Sequence, residues 1–353
     1  MLKNSTMKKA FLLCLVALFC ANIFAQEQKL LTLGLEVRGD YQREYVEDEL
    51  AYDETGFKGK YFNLRADGNI GEGFSYSYNQ RLNMSSDDAS FFDATDWLYL
   101  TYKKNNWELS AGKLVVAVGG FEYDAAPIDL YFCSEWWHKI PCYQFGASAG
   151  YSLNDGKDKL LFQVCESPWR VVTSVDDAGE TVKTTQDEMY AYNFLWTGSH
   201  GNLNSIYSLN VMEYLPGHYI SYISLGNRFN MEHCVVGLDF MNRATSGQAF
   251  LGKDYSLIGQ VEWCPTAKLK ILGKVSYDVN NTGTGKDYLV ADGCEITRVG
   301  AVVEYFPLEG SKDVRLHAAG SYSFGDSGTV LFDKQTFLTV GVTWKMNLLS
   351  FNK

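Results

Sequence analysis

The sequence predicts an all-β fold: a transmembrane antiparallel β-barrel of about sixteen strands, with a long third outer loop folded into its lumen. Three observations carry this expectation. Period-2 alternation recurs along the chain with turn residues between the alternating segments. After residue 25 no apolar run reaches the roughly 18–20 residues that a spanning helix needs. The links between strands alternate short and long, which membrane insertion from one side produces and a soluble sandwich does not require.

The first 25 residues stand apart. Lys3, Lys8 and Lys9 precede an apolar stretch from Ala10 to Ala21, and Ala25 offers a small residue for cleavage. This reads as a secretory signal peptide (1–25) followed by an outer-membrane barrel domain (26–353). Cleavage after Ala25 removes three lysines and no acid, taking the formal charge from −11 to −14. An acidic mature chain without a basic stripe argues against nucleic acid as a partner. Aromatic residues make up 15% of the chain, yet its mean hydropathy is only −0.17. A barrel that carries apolar residues on alternate positions has this balance.

In order, strands are predicted at 30–45, 57–70, 74–84, 95–103, 107–118, 144–153, 159–168 and 189–198. Eight more follow at 202–213, 219–230, 234–243, 255–264, 268–279, 294–306, 314–324 and 336–349. One set of links is short: 71–73, 104–106, 154–158, 199–201, 231–233, 265–267 and 308–313. The other is mostly longer and polar: 46–56, 85–94, 119–143, 169–188, 244–254, 280–293 and 325–335. Only the turn at Leu215-Pro216-Gly217 breaks the alternation. All six prolines fall in links or at strand ends, as a sheet without edges requires. The last strand shows the two faces: Leu338, Val340, Val342, Trp344, Met346 and Leu348 toward lipid, Thr339, Gly341, Thr343, Lys345 and Asn347 toward the lumen. Aromatics such as Tyr41, Phe57, Trp97 and Trp107 lie near strand ends, where interfacial girdles are expected.

The run Asp96-Trp97-Leu98-Tyr99-Leu100-Thr101-Tyr102, then Gly112-Lys113 and Gly119-Gly120-Phe121-Glu122-Tyr123-Asp124…Pro127-Ile128-Asp129-Leu130-Tyr131, resembles the phosphate-selective porin O/P family as found in Bacteroidetes-type bacteria. The layout is similar over the whole mature chain, while the distinctive motif is confined to about residues 92–151. The resemblance implies a sixteen-stranded, homotrimeric porin of a Gram-negative outer membrane, with segment 119–143 as its constriction loop.

In that loop Glu122, Asp124, Asp129 and Glu135 are the candidate constriction acids and Lys139 the candidate base. Asp124 is expected to cap a helix running from Pro127 to about His138. The candidate pore-wall charges are Arg38, Arg65, Arg81, Lys113, Lys274, Arg298, Arg315 and Lys345, sharing the lumen with Glu36, Asp40, Asp67, Glu262 and Glu304. A basic wall facing an acidic loop predicts a transverse field across the water path. Phosphate-selective members of the family rely on a dense basic row and a basic loop. Four carboxylates against Lys139 depart from that pattern, so weak selectivity is expected.

Trp136 and Trp137 are read as anchors of the loop, with a stacking rail for sugars as the alternative. Cys133 and Cys142 are expected to form a disulfide. Cys133, His138 and Cys142 lack a second short-spaced pair, so no metal and no cofactor is expected. His200, His218, His233 and His317 are scattered without a serine–carboxylate signature, which excludes a legible enzyme site. The sequence thus predicts passive diffusion of small hydrophilic solutes or inorganic ions, with outer-membrane lipid around the barrel. The alternatives are a phosphate- or anion-selective porin, or a non-conducting barrel enzyme or adhesin.

Overall fold

A computed structural model describes residues 29–84, 91–140, 142–175, 181–186, 188–283, 292–327 and 334–352. The predicted signal peptide lies outside them. Among the described residues sixteen strands form one ring. They are β1 (Lys29–Val46), β2 (Gly56–Gly71), β3 (Phe74–Arg81), β4 (Thr95–Lys104), β5 (Trp107–Val115), β6 (Tyr143–Leu153), β7 (Asp158–Glu166) and β8 (Tyr190–His200). The second half comprises β9 (Leu203–Leu215), β10 (His218–Asn230), β11 (Cys234–Thr245), β12 (Asp254–Thr266), β13 (Leu269–Asn280), β14 (Cys294–Tyr305), β15 (Val314–Ser327) and β16 (Lys334–Asn352).

Each strand pairs antiparallel with its neighbours in sequence, and β16 closes the ring onto β1, from Lys29 opposite Asn352 to Val46 opposite Gln335. Closure gives every strand two partners, the condition for a sheet whose backbone meets hydrocarbon. A separate hairpin, Val171–Val175 with Thr181–Thr185, stands in the link between β7 and β8. No helix among the described residues is long and apolar enough to cross a membrane.

The alternation read from the sequence is the alternation of the two faces. On β16 Leu338, Val340, Met346 and Leu348 are exposed on the outside, while Thr339 and Thr343 are buried within. On β15 Leu316, Tyr322 and Phe324 face out, and Arg315, His317, Ser321 and Ser323 face in. The sheet is thus apolar outside and polar inside, stable in lipid and costly in water at about 25 cal/mol per Å² of exposed apolar surface. Aromatic pairs mark both rims: Tyr41–Phe57 (5.1 Å) at the end of the long links, Phe74–Tyr102 (4.6 Å) and Trp107–Tyr151 (4.8 Å) at the end of the short turns. Trp97 is not part of a girdle. Its indole N–H donates to Ser77 Oγ (2.8 Å) on the inner face, and the Arg65 guanidinium lies 5.5 Å from its ring centroid.

Candidate functional site

The link between β5 and β6 folds against the inner face of the strands opposite its origin. Its first leg borrows hydrogen-bond partners from the wall. Ala117 N–H donates to Gln163 Oε1 (2.8 Å) and Gly119 N–H to Ser208 Oγ (2.8 Å), while Asn210 Nδ2 donates to the Ala117 carbonyl (2.8 Å). Buried backbone needs such partners, and an irregular segment finds them on side chains of β7 and β9. Gly120 has φ +92°, and a Cβ there would fall 1.8 Å from Met241 Cε. Only glycine permits both the backbone and the close approach.

A single helical turn, α1 (Phe121–Asp124), follows; Glu122 N–H donates to Asp239 Oδ2 (2.8 Å) on β11. Next come a 3-10 turn, Pro127–Asp129, an extended stretch, and α2 (Glu135–Lys139), capped by Ser134, whose Oγ accepts from Trp137 N–H (3.4 Å). The expected continuous helix from Pro127 to His138 is therefore absent, and Asp124 caps nothing.

The reason is on the wall. Arg38 donates to the carbonyls of Ile128 (3.1 Å) and Leu130 (2.6 Å), Arg315 to Ile128 (3.2 Å), Lys274 to Phe132 (3.0 Å), and Arg298 to Cys133. Charge-assisted bonds to these oxygens outcompete the helical partners that they would otherwise accept.

The same cations meet the loop carboxylates. Lys274 pairs with Glu122, Arg298 with Glu135 (3.0 Å) and Arg315 with Asp129 (2.8 Å). Tyr131 donates to Glu304 Oε1 (2.7 Å), and the guanidinium carbons of Arg38 and Arg315 lie 4.4 and 5.7 Å from its ring centroid. Glu122 is fully enclosed. Burial pushes its carboxyl up, but the Lys274 ammonium and the hydroxyl and amide of Ser134 outweigh burial and hold it below its ordinary value. Basic wall and acidic loop are thus in contact at these three pairs, where the sequence predicted a field across water.

Apolar side chains complete the seat. Val116, Val118, Tyr123, Trp136 and Ile140 pack with Met212, Ile220, Tyr222, Met241, Ile258 and Ile296 of the wall. Trp136 is wholly buried and meets the Tyr222 ring edge-on at 5.2 Å, the position of an anchor. Cys133 and Cys142 are free thiols, against the expected disulfide. Cys133 is buried beneath the Arg298 and Lys274 contacts, whereas Cys142 lies beside Tyr123 and points its sulfur at the Ile140 carbonyl (3.6 Å). Burial pushes the Cys133 thiol up to about 12 and the Cys142 thiol up to about 11.

Other predicted residues fall elsewhere. Lys113 is not a wall charge: it stands opposite Leu98 and Phe145, both exposed on the outer face, and its ammonium donates to the carbonyls of Phe92 and Thr95 (2.6 Å each). It shares the parity of Trp107, Leu109 and Val115, which are exposed on the same face. Arg65 pairs with Glu36 (3.1 Å) and Asp67 (3.4 Å), Arg81 with Asp96 (2.7 Å), and Lys345 lies 3.7 Å from Glu36. Asp124 is exposed, and the Lys139 side chain lies outside what is described. Among the described residues no group of His, Cys, Asp and Glu is arranged for a metal.

Sequence reading missed Arg228, which lies 4.4 Å from the Phe121 ring centroid, and Lys270, which joins Glu262 (3.4 Å) to Glu304 (3.3 Å). Both share a parity with buried neighbours, Ser224 and Ser276 respectively, so strand alternation carried the signal.

A family model described as phosphate-selective porin O and P matches residues 31–256. No curated protein matches the chain. Among solved structures, the outer membrane channel DcaP of Acinetobacter baumannii aligns with a TM-score of 0.62 at 14% identity, covering 92% of this chain and 100% of that one. The outer-membrane-expressed OmpT of Vibrio cholerae gives 0.59 at 11% identity, covering 92% and 100%. An anion-selective porin from Comamonas acidovorans gives 0.57 at 12% identity, covering 90% and 99%. At these identities the likeness is one of fold.

Proposed function

The chain belongs to the phosphate-selective porin O and P family, and from that premise we propose a passive diffusion pore whose loop 119–143 forms the narrowest point. It is an outer-membrane porin, a channel rather than an enzyme, embedded in a Gram-negative outer membrane and passing ions and small solutes. The finer reading is a water-filled barrel, a leader removed after Ala25, assembly as a homotrimer, and weak charge selectivity for small hydrophilic solutes.

One observation carries it: three of the four candidate loop acids, Glu122, Asp129 and Glu135, are paired with wall cations, which leaves Asp124 as the exposed carboxylate that the loop presents. A neutralised constriction selects by width more than by sign. Reversal potentials in a planar bilayer under a KCl gradient test this. A value near zero is expected; a strongly anion-favouring value with block by phosphate would replace the reading with the specificity in the family's name.

That second reading has its own support. Arg65 and Arg81 remain about one-third exposed (36% and 33%) on the inner face, where anions reach them.

A further inference from the structure

Two sets among the basic residues of the inner face differ in burial and in what they hold. Side-chain exposure is 3% for Arg38, 4% for Lys274, 8% for Arg298 and 10% for Arg315. For Arg65 and Arg81 it is 36% and 33%. The buried four have almost no surface left for a solute.

We propose that Arg38, Lys274, Arg298 and Arg315 are positioning residues, a basic clamp that grips the loop by the carbonyl oxygens of 128, 130, 132 and 133 and so sets the width of the water path, while Arg65 and Arg81 carry the positive charge that a passing oxyanion meets. The inference deepens the porin reading and rests on it.

Donor geometry supports the division. Arg298 spends its guanidinium in three directions: Nε on Ser323 Oγ (2.7 Å), one terminal nitrogen on the Cys133 carbonyl, the other on Glu135. Arg38 is divided between Asp40 and the carbonyls of Ile128 and Leu130. Arg315 holds Asp129, Glu304 (3.1 Å), the Ile128 carbonyl and Thr343 Oγ1 (3.3 Å). Lys274 holds Glu122 and the Phe132 carbonyl. An anion entering this set must displace charge-assisted bonds already made, from groups already neutralised by a carboxylate.

Three of the gripped carbonyls, those of Leu130, Phe132 and Cys133, belong to the extended stretch between the 3-10 turn and α2, and the fourth, Ile128, lies in the turn itself. Arg81 differs. Its Nε bonds Asp96, and its side chain stands in the open part of the inner face. Arg65 pairs at 3.1 and 3.4 Å, and its guanidinium carbon lies 5.5 Å from the Trp97 ring centroid.

The test uses charge-neutral pairs, so that width and sign are read separately. Arg298→Gln with Glu135→Gln, and Lys274→Gln with Glu122→Gln, each release one grip without changing net charge. Single-channel conductance is expected to rise, roughly two-fold if a released loop leaves the constriction, with added open-channel noise and an unchanged reversal potential. Arg65→Gln with Arg81→Gln should move the reversal potential toward cations at nearly unchanged conductance.

Amide exchange across 120–140 reads the clamp without reference to conduction and is expected to quicken in the two neutral pairs. Unchanged exchange, a reversal potential that moves in the neutral pairs, or one that stays fixed in the Arg65/Arg81 pair would overturn the proposal. A wild-type protein that exchanges slowly in the loop yet forms no channels would leave the clamp standing and contradict the porin reading instead.

Discussion

The Lys274 ammonium on β13 touches the Glu122 carboxylate of the loop, and both side chains are almost completely enclosed, 4% and 1% exposed. Glu122 also accepts from the backbone and hydroxyl of Ser134, the residue that caps α2. One buried ion pair therefore ties the two helical turns of the loop to each other and to the wall.

Replacing Lys274 with methionine strands that carboxylate. Loss of one partner of a buried pair costs about 3–5 kcal/mol, and the cost falls on the seating of the loop, because the strand ladders of β13 are untouched. K274M should keep a folded barrel while exposing the loop to protease; full protection would show that the pair contributes little.

Acid should release the loop late. A carboxyl held below its ordinary value contributes stability that is present above the unfolded value of 4.5 and lost as pH falls through the lower folded one. Glu122 thus predicts a conductance unchanged by its titration from neutral pH down to 4.5, with any step due to it below that. Conductance recorded against pH in the wild type and in E122Q isolates the contribution; a step near pH 6 present only in the wild type would contradict it.

Gly120→Ala should disturb the same seat from the other side. The φ of +92° costs an alanine about 1–3 kcal/mol, and its Cβ would meet Met241 Cε. Met241→Ala in the G120A background removes the collision but not the backbone strain, so only partial recovery of protease protection is expected.

The thiols offer a test of covalent state. With Cys133, Cys142, Cys165, Cys234, Cys264 and Cys294 all free, denatured and unreduced mature protein should take up six alkyl groups by mass spectrometry, whereas four would mean a bridge. In the folded protein a Cys142 thiol pushed up to about 11 is ionised in about one molecule in a thousand at pH 8, so maleimide should label it slowly.

The fold was legible because a barrel in lipid enforces a strict rule. Leu338, Val340 and Thr339 could stand nowhere else, and each strand repeats that constraint. Loop parity survived even with the exception at Pro216-Gly217. The position of the loop was legible too, because Gly119-Gly120 stands in an apolar context where alternation stops, although the strand itself ends earlier, at Val115. Its internal shape was not. A proline at 127, an acid in the first turn and a histidine near the end describe a helix locally, but the carbonyls of Ile128, Leu130, Phe132 and Cys133 bond cations 90 or more residues away in sequence. Alternation names the face of Arg298 without saying that a loop oxygen will reach it. Lys113 failed for a different reason: it shares a parity with Trp107, Leu109 and Val115, all exposed on the outer face, and the ladders run through it without a register shift, so alternation itself places it outside.

If segment 119–143 narrows a water path through the barrel, deleting residues 120–141 should give a clear rise in single-channel conductance in a planar bilayer over the full-length protein, from a barrel that still assembles. An unchanged conductance would show that the segment does not constrict the path.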